Sequence, residues 1–191
     1  MSRVAGVVLA AGSGSRMGVP KAALVVGGAA LLERAVRALA DGGCAPIVAV
    51  VRAGARVPEP ARGVVNPEPE RGMRSSLELG VDSTGAADAV AVLLVDTPGI
   101  GADAVRAVVR AWTPGRIAVG CYAGRRGHPT VMSAELWREA LTLAAPDEGA
   151  RALLAARPDL VDETAVPGRA DDLDTPEDVA RWESGGTAVE A

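Results

Sequence analysis

A single lysine, Lys21, stands among nineteen arginines in this chain of 191 residues. It closes the stretch Leu-Ala-Ala-Gly-Ser-Gly-Ser-Arg-Met-Gly-Val-Pro-Lys, residues 9–21. An ammonium is a compact point charge on a thin stem, whereas a guanidinium is a broad planar fork. A chain that relies on Arg and keeps one Lys here calls for a small cation in a narrow place. Gly12, Gly14 and Gly18 precede it, directly after an apolar run, where a loop can wrap phosphate groups with its backbone N–H groups. The single histidine, His128, lies in Gly-Arg-Arg-Gly-His-Pro, residues 124–129; a His before Pro reads equally well as a loop or packing residue. Asp96 ends a third apolar run and is followed by Thr97-Pro98. A carboxylate at the C-terminal tip of a buried parallel strand faces the crevice where α/β sheets bind ligands. Mg²⁺ prefers few carboxylates beside phosphate oxygens and waters, so Asp96 with one partner suffices. Taken alone, Asp96 is more simply an Asx turn leading into Pro98. The partner candidates lie in Asp171-Asp-Leu-Asp174-Thr-Pro-Glu-Asp178, where Asp174 also reads as support for a helix start.

Two common phosphate-binding patterns do not fit the glycines. A dinucleotide fingerprint needs Gly-x-Gly-x-x-Gly and an acid about twenty residues on. Here the spacing differs, and the second strand runs out as Val50-Val-Arg-Ala-Gly54 with no acid. A Walker A loop needs Gly-Lys-Ser/Thr, but Lys21 follows Pro20 and precedes Ala22. A turn built of small residues remains open on the glycines alone.

The full string of residues 9–21 resembles the signature of nucleotidyltransferases that activate sugar phosphates, and most closely the branch that handles the molybdenum cofactor. The resemblance implies that the loop backbone holds the base and triphosphate, that the Arg meets the phosphates and that the Lys approaches the α-phosphate. Matched to this chain, the nucleotide-binding residues are Leu9, Ala10, Ala11, Gly12, Gly14 and Ser15, and the catalytic pair is Arg16 and Lys21. A preorganised cation at the α-phosphate is worth on the order of 10²–10³ in rate. An Asp-x-Asp-Thr-Pro-Glu-Asp string also ends members of this family, where an acid or amide completes a metal site. Asp96 and Asp174 are thus the expected Mg²⁺ ligands, with Asp172 in reserve. The segment Gly72-Met-Arg-Ser-Ser-Leu-Glu-Leu-Gly80 is similar to the family's cytidylyltransferase branch and adds Gly72, Ser75 and Ser76 to the nucleotide set. Guanylyltransferase relatives typically carry Gly-Pro-Leu-Ala-Gly there and Ala-Gly-Gly in the first motif, so the resemblance favours CTP. Ser75 and Ser76 are also natural helix caps. Arg-Gly-His-Pro resembles an acceptor-side element, which assigns Arg125 and His128 to the acceptor, with Arg125 and Arg126 placed to clamp a phosphate. Asp147-Glu-Gly-Ala-Arg151 resembles a Gly-Asp-x-Gly-Ala-Arg element and adds Arg151, although Pro146 replaces the leading Gly and Arg151 also reads as a solvated helix residue.

These residues need a frame. Runs at 4–10, 47–51 and 89–95 are continuously apolar and of strand length, the mark of strands buried on both faces in a parallel sheet. Further strands are expected at 63–65, 116–121, 130–132 and 159–163. Helical patterns cover 29–40, 75–81, 102–112, 134–142 and 148–156. A last helix opens at Thr175, which reads as its N-cap. This alternation predicts a single Rossmann-like three-layer α/β domain with a mostly parallel sheet, of the nucleotide-diphospho-sugar transferase type. The domain is expected over residues 1–183, with 184–191 a disordered tail.

The net charge of −4, with both signs interspersed, disfavours nucleic-acid binding through a general basic surface. No run approaches the ~20 apolar residues of a membrane helix. Arg3 and the apolar run after it mimic a short signal peptide, but a buried first strand leading into the glycine loop is the expected reading. Cys44 and Cys121 are isolated, which fits a reduced, cytoplasmic protein.

The expected activity is transfer of CMP from CTP to the phosphate of molybdopterin, with a molybdoenzyme as recipient of the product. Three alternatives are a guanylyl or other nucleotidyl transfer to a different phosphorylated acceptor, a non-catalytic cofactor-binding chaperone, and a dinucleotide-dependent oxidoreductase. The two carboxylates argue against the chaperone, and the glycine spacing argues against the oxidoreductase.

Overall fold

The structure is a computed structural model that describes residues 2–185. Seven strands form one sheet: β1 (Val4–Ala10), β4 (Ile47–Val51), β5 (Arg62–Val65), β6 (Ala89–Leu94), β7 (Ile117–Tyr122), β8 (Arg125–Met132) and β9 (Val161–Ala165). Their order across it is β5-β4-β1-β6-β8-β7-β9. Every neighbouring pair is parallel except those made by β8, which runs against both β6 and β7. A small hairpin, β2 (Val25–Val26) with β3 (Ala29–Ala30), stands apart from it.

The apolar runs behave as period-2 residues with both faces covered. In β1, Val4, Val8 and Ala10 enter one core while Val7 and Leu9 enter the other; β4 and β6 divide in the same way. The first core is closed by α1 (Leu31–Asp41) and α3 (Ala102–Ala111). The second is closed by α2 (Met73–Asp82), α4 (Ala134–Leu143) and α5 (Arg151–Ala156). The result is the predicted three-layer α/β domain. Trp137, fully buried in the second layer, donates from its indole nitrogen to the Val90 carbonyl, so its one polar atom is satisfied.

Several boundaries differ from expectation for local reasons. Ala29 and Ala30 are not helical, because Gly27 and Gly28, both at positive φ, turn the chain and pair them with Val25 and Val26. The strand expected at 130–132 begins five residues earlier, since Ala123 and Gly124, at φ 48° and 81°, make a two-residue turn joining β7 to β8. The helix expected from Glu148 starts at Arg151. The last helix, α6 (Pro176–Gly185), takes in Ser184 and Gly185; the rest of the expected tail lies outside the described residues. Thr175 caps α6 as expected, accepting from the Asp178 N–H while Asp178 accepts from the Thr175 N–H, a reciprocal capping box. Cys44 and Cys121 are both free thiols. Burial pushes the Cys44 thiol up to about 12. Among the described residues no helix is long and apolar enough to cross a membrane.

Candidate active site

The site lies at the C-terminal ends of β1 and β6, where the sheet changes direction of winding. Beyond β1 the chain enters the glycine loop. Gly14 sits at φ 62°, and a Cβ there would lie 2.1 Å from the Val19 carbonyl oxygen and 3.1 Å from the Lys21 nitrogen. This closeness folds the loop back on itself and presents Lys21 to the end of β6. From the far side, Arg52 at the end of β4 donates to the Ala11 carbonyl at 3.1 Å. Gly12 has open space where a Cβ would be.

Lys21 joins two carboxylates that are far from it in sequence. Its Nζ donates to Asp96 Oδ2 at 2.7 Å and to Asp174 Oδ1 at 2.5 Å. Asp174 arrives there because the Leu173 N–H donates to the Asp96 carbonyl at 2.9 Å and the Leu173 side chain is buried. Burial disfavours the Lys21 ammonium, but the hydrogen bonds and charges of Asp174 and Asp96 outweigh it and raise its pKa; the group is a cation. Asp172 lies in the same field, and its carboxyl is raised first by burial and then by Asp96 and Asp174. Asp96 Oδ1 is buried and has no hydrogen-bond partner among the described residues. Such an orphaned oxygen is costly unless a cation or water meets it, so Asp96 and Asp174 fit a hard divalent ion that takes one or two carboxylates. Among the described residues no group of three His, Cys, Asp or Glu side chains is arranged to hold a metal alone.

A cavity of about 270 Å³ runs from the loop to the start of α2, lined by Leu9, Ala11, Gly12, Gly14, Lys21, Gly72, Ser76 and Asp96 among others. Ala10 faces the opposite side of the sheet, as strand alternation requires, and lines a different hollow beside Arg52. Ser15, Arg16, Lys21 and Asp174 line a shallower adjoining recess. Ser75 and Ser76 do not cap α2, because the helix begins at Met73 with Gly72 as its N-cap and no side-chain cap. Gly72, at φ 90°, is pressed against the Pro146 carbonyl, where a Cβ would lie 2.4 Å away. Ser76 is buried in the cavity wall, while Ser75 is outside the lining and donates to the Gly72 carbonyl at 2.9 Å. Both hydroxyls accept from Asn66 Nδ2, at 3.0 and 2.9 Å. Buried Asn66 is the residue that sequence reasoning missed. Its signal in the sequence is an Asn before Pro, directly after β5.

A second cavity of about 490 Å³ adjoins the first, sharing Met73, Leu94 and Asp147 with it. Arg126, His128, Thr130 and Arg151 line it. Arg125 does not: it is exposed and neighbours Arg126 along β8, where successive side chains take opposite faces. Arg126 pairs with Glu163 at 2.6 Å. His128 is held at three points. The Tyr122 hydroxyl donates to its carbonyl at 2.6 Å, Gly120 allows that carbonyl close approach, and its Nδ1 meets the Val92 carbonyl at 3.2 Å. A carbonyl can only accept, so Nδ1 carries the hydrogen and Nε2 keeps its lone pair. Burial lowers the His128 pKa, against the opposing pull of the Val92 bond and the Asp96 charge; the ring is neutral at pH 7.

Comparison with known proteins gives the family and the fold. The MobA-like NTP transferase domain family matches residues 6–162. A protein of Paenarthrobacter nicotinovorans named nicotine blue oxidoreductase is 36% identical over 93% of this chain and 95% of its own length. A second relative, from Opitutus terrae, bears the name "Probable molybdenum cofactor guanylyltransferase"; it is 37% identical over 62% of this chain and 60% of its own. The crystal structure of Rv0371c from Mycobacterium tuberculosis H37Rv superposes with a TM-score of 0.83 at 24% identity, over 96% of this chain and 98% of that one. The chain belongs to the MobA-like NTP transferase family, and its fold is that of the nucleotide-diphospho-sugar transferases.

Proposed function

We propose that the protein is a nucleotidyltransferase that moves CMP from CTP to the phosphate of a molybdopterin-type acceptor and releases pyrophosphate. The observation that carries this reading is the Lys21 bridge between Asp96 and Asp174, set between a glycine-loop cavity and a contiguous second cavity. An oxygen of the acceptor phosphate forms a bond to the α-phosphorus, and the bond from that phosphorus to the α–β bridging oxygen breaks. The acceptor phosphate is anionic at neutral pH, so no general base is needed. Asp96 and Asp174 would hold Mg²⁺, which neutralises charge on the phosphate oxygens and orients the leaving group. The protein's own groups do the rest. The loop backbone and the uncapped start of α2 hold the nucleotide, Lys21 and exposed Arg16 offset charge growing on the α-phosphate, and Arg126, His128 and Arg151 orient the acceptor. Neutral His128 offers Nε2 as a hydrogen-bond acceptor to an N–H or O–H of that acceptor.

The choice of CTP rests on the Ala-Ala-Gly and Gly72–Ser76 motifs, whereas the name of the Opitutus relative points to GTP. Pyrophosphate release is to be measured with Mg²⁺, molybdopterin and each of CTP, GTP, ATP and UTP. Turnover with CTP is expected. Turnover with GTP alone overturns the base assignment, and turnover with none overturns nucleotidyl transfer to this acceptor. The product is taken to pass to a molybdoenzyme in the cytoplasm.

The relative from Paenarthrobacter favours a second reading, an oxidoreductase on the same frame. Against it, Arg52 stands at the end of β4, where a dinucleotide site places an acid for the ribose. A melting-temperature shift with NADH or NADPH, and none with Mg²⁺ and any nucleoside triphosphate, decides for the second reading.

A further inference from the structure

One oxygen of each carboxylate already shares a cation, the Lys21 ammonium. Lys21 Nζ lies 2.7 Å from Asp96 Oδ2 and 2.5 Å from Asp174 Oδ1. A Mg²⁺ ion ligated by the same oxygens sits about 2.1 Å from each, inside the volume that the ammonium fills. The two cations exclude each other by size as well as by charge. The Lys21 side chain is only 14% exposed, so the ammonium cannot leave for water without losing two charge-assisted hydrogen bonds. It lines both the nucleotide cavity and the recess that contains Arg16. A phosphate held there is therefore within reach of a turn of its stem.

We propose that Lys21 is a resident counter-ion that keeps Asp96 and Asp174 closed to divalent metal until a nucleotide phosphate draws it away. Metal and nucleotide thus enter as one coupled event, and a metal ion alone meets only the carboxylate oxygens that the ammonium does not hold, Asp96 Oδ1 among them. The same lysine that assists transfer suppresses metal binding in the resting protein. The inference rests on the nucleotidyl-transfer reading for the anion that receives the lysine, while its first test needs no substrate.

Binding of Mn²⁺ alone is measured by the paramagnetic resonance signal of the free ion, in the wild type and in Lys21→Met and Lys21→Gln. Both variants are expected to bind Mn²⁺ about tenfold tighter or more, because two carboxylates lose their partner. Adding Asp174→Asn to Lys21→Met should abolish that gain. A wild type that binds Mn²⁺ as tightly as the variants overturns the proposal. A second measurement covers the case in which the variants fail to fold. Because the chain has one lysine, protein labelled with ¹³Cε-lysine gives one lysine resonance. That resonance should stay in place with Mg²⁺ alone and move when CTP is added with it; movement with Mg²⁺ alone overturns the counter-ion role. A resonance unmoved by every Mg–nucleotide tested overturns the displacement of Lys21 even if the variants gain Mn²⁺ affinity, whereas the failure of nucleotidyl transfer itself is read separately, from pyrophosphate release absent with every nucleotide.

Discussion

At the scale of the residue, the decisive contrast is between Lys21 and the arginines around it. An ammonium fits between Asp96 Oδ2 and Asp174 Oδ1 and can still swing toward a phosphate. A guanidinium there pairs just as well with carboxylates, but its planar fork is too broad to turn in the same space. Lys21→Arg is thus expected to leave the melting temperature near that of the wild type while lowering transfer by about 10² or more. Turnover within a few-fold of wild type would show that charge alone matters at this position. Lys21 itself was readable because one residue type stood alone in a motif. Its bonds were not, since they span 75 and 153 positions and depend on how β6 and the segment before α6 meet. Asn66 and the choice between Arg125 and Arg126 were harder still: the one follows from a hydroxyl pair and the other from strand phase, which only the folded backbone defines.

At the scale of the element, β1, β4 and β6 were legible because burial on both faces leaves continuous apolar runs, which few other structures require. The two hairpin turns were not, because Gly27-Gly28 and Ala123-Gly124 carry short signals within longer patterns. The start of α6 was legible and adjoins the candidate site, since its capping box follows Asp174 directly. Hydrogen bonds from the Thr175 hydroxyl and backbone, and from the Asp174 N–H, hold the Asp178 carboxyl below its usual pKa. A lowered folded-state value stabilises the fold above the unfolded pKa of about 3.9 and is lost as pH falls through the folded one. Asp178→Ala is expected to lower the melting temperature at pH 7, with the gap to wild type closing below about pH 4. A gap independent of pH would mean that the carboxylate charge contributes nothing to the cap.

At the scale of the whole molecule, the two sides of the Lys21 bridge are also tied together away from it. The guanidinium of Arg34 lies 5.6 Å from the Trp182 ring centre and that of Arg169 lies 5.7 Å from it. Arg34 also donates to the Val26 and Gly27 carbonyls of the small hairpin that follows Lys21. Trp182 therefore joins α6, which carries Asp174 at its head, to the segment leading from Lys21 into α1. Trp182→Ala is expected to cost about 1 kcal/mol of stability and to lower turnover several-fold, read by thermal melting and pyrophosphate release. Full activity in a destabilised variant would show that Asp174 and Lys21 need no outside support.

The reversed strand β8 makes the two walls of the cleft unequal in how freely they can be rebuilt. It enters the sheet from the site end, through the exposed Ala123-Gly124 turn, and brings Arg126 and His128 to the wall of one cavity. A turn of this kind can be lengthened or exchanged with both its strands still paired. The wall opposite has no such slack, because the glycine loop is pinned through Lys21 to carboxylates at two other places in the chain. One side of the cleft can be rebuilt without unpairing the sheet, whereas the other is held at two distant points of the chain.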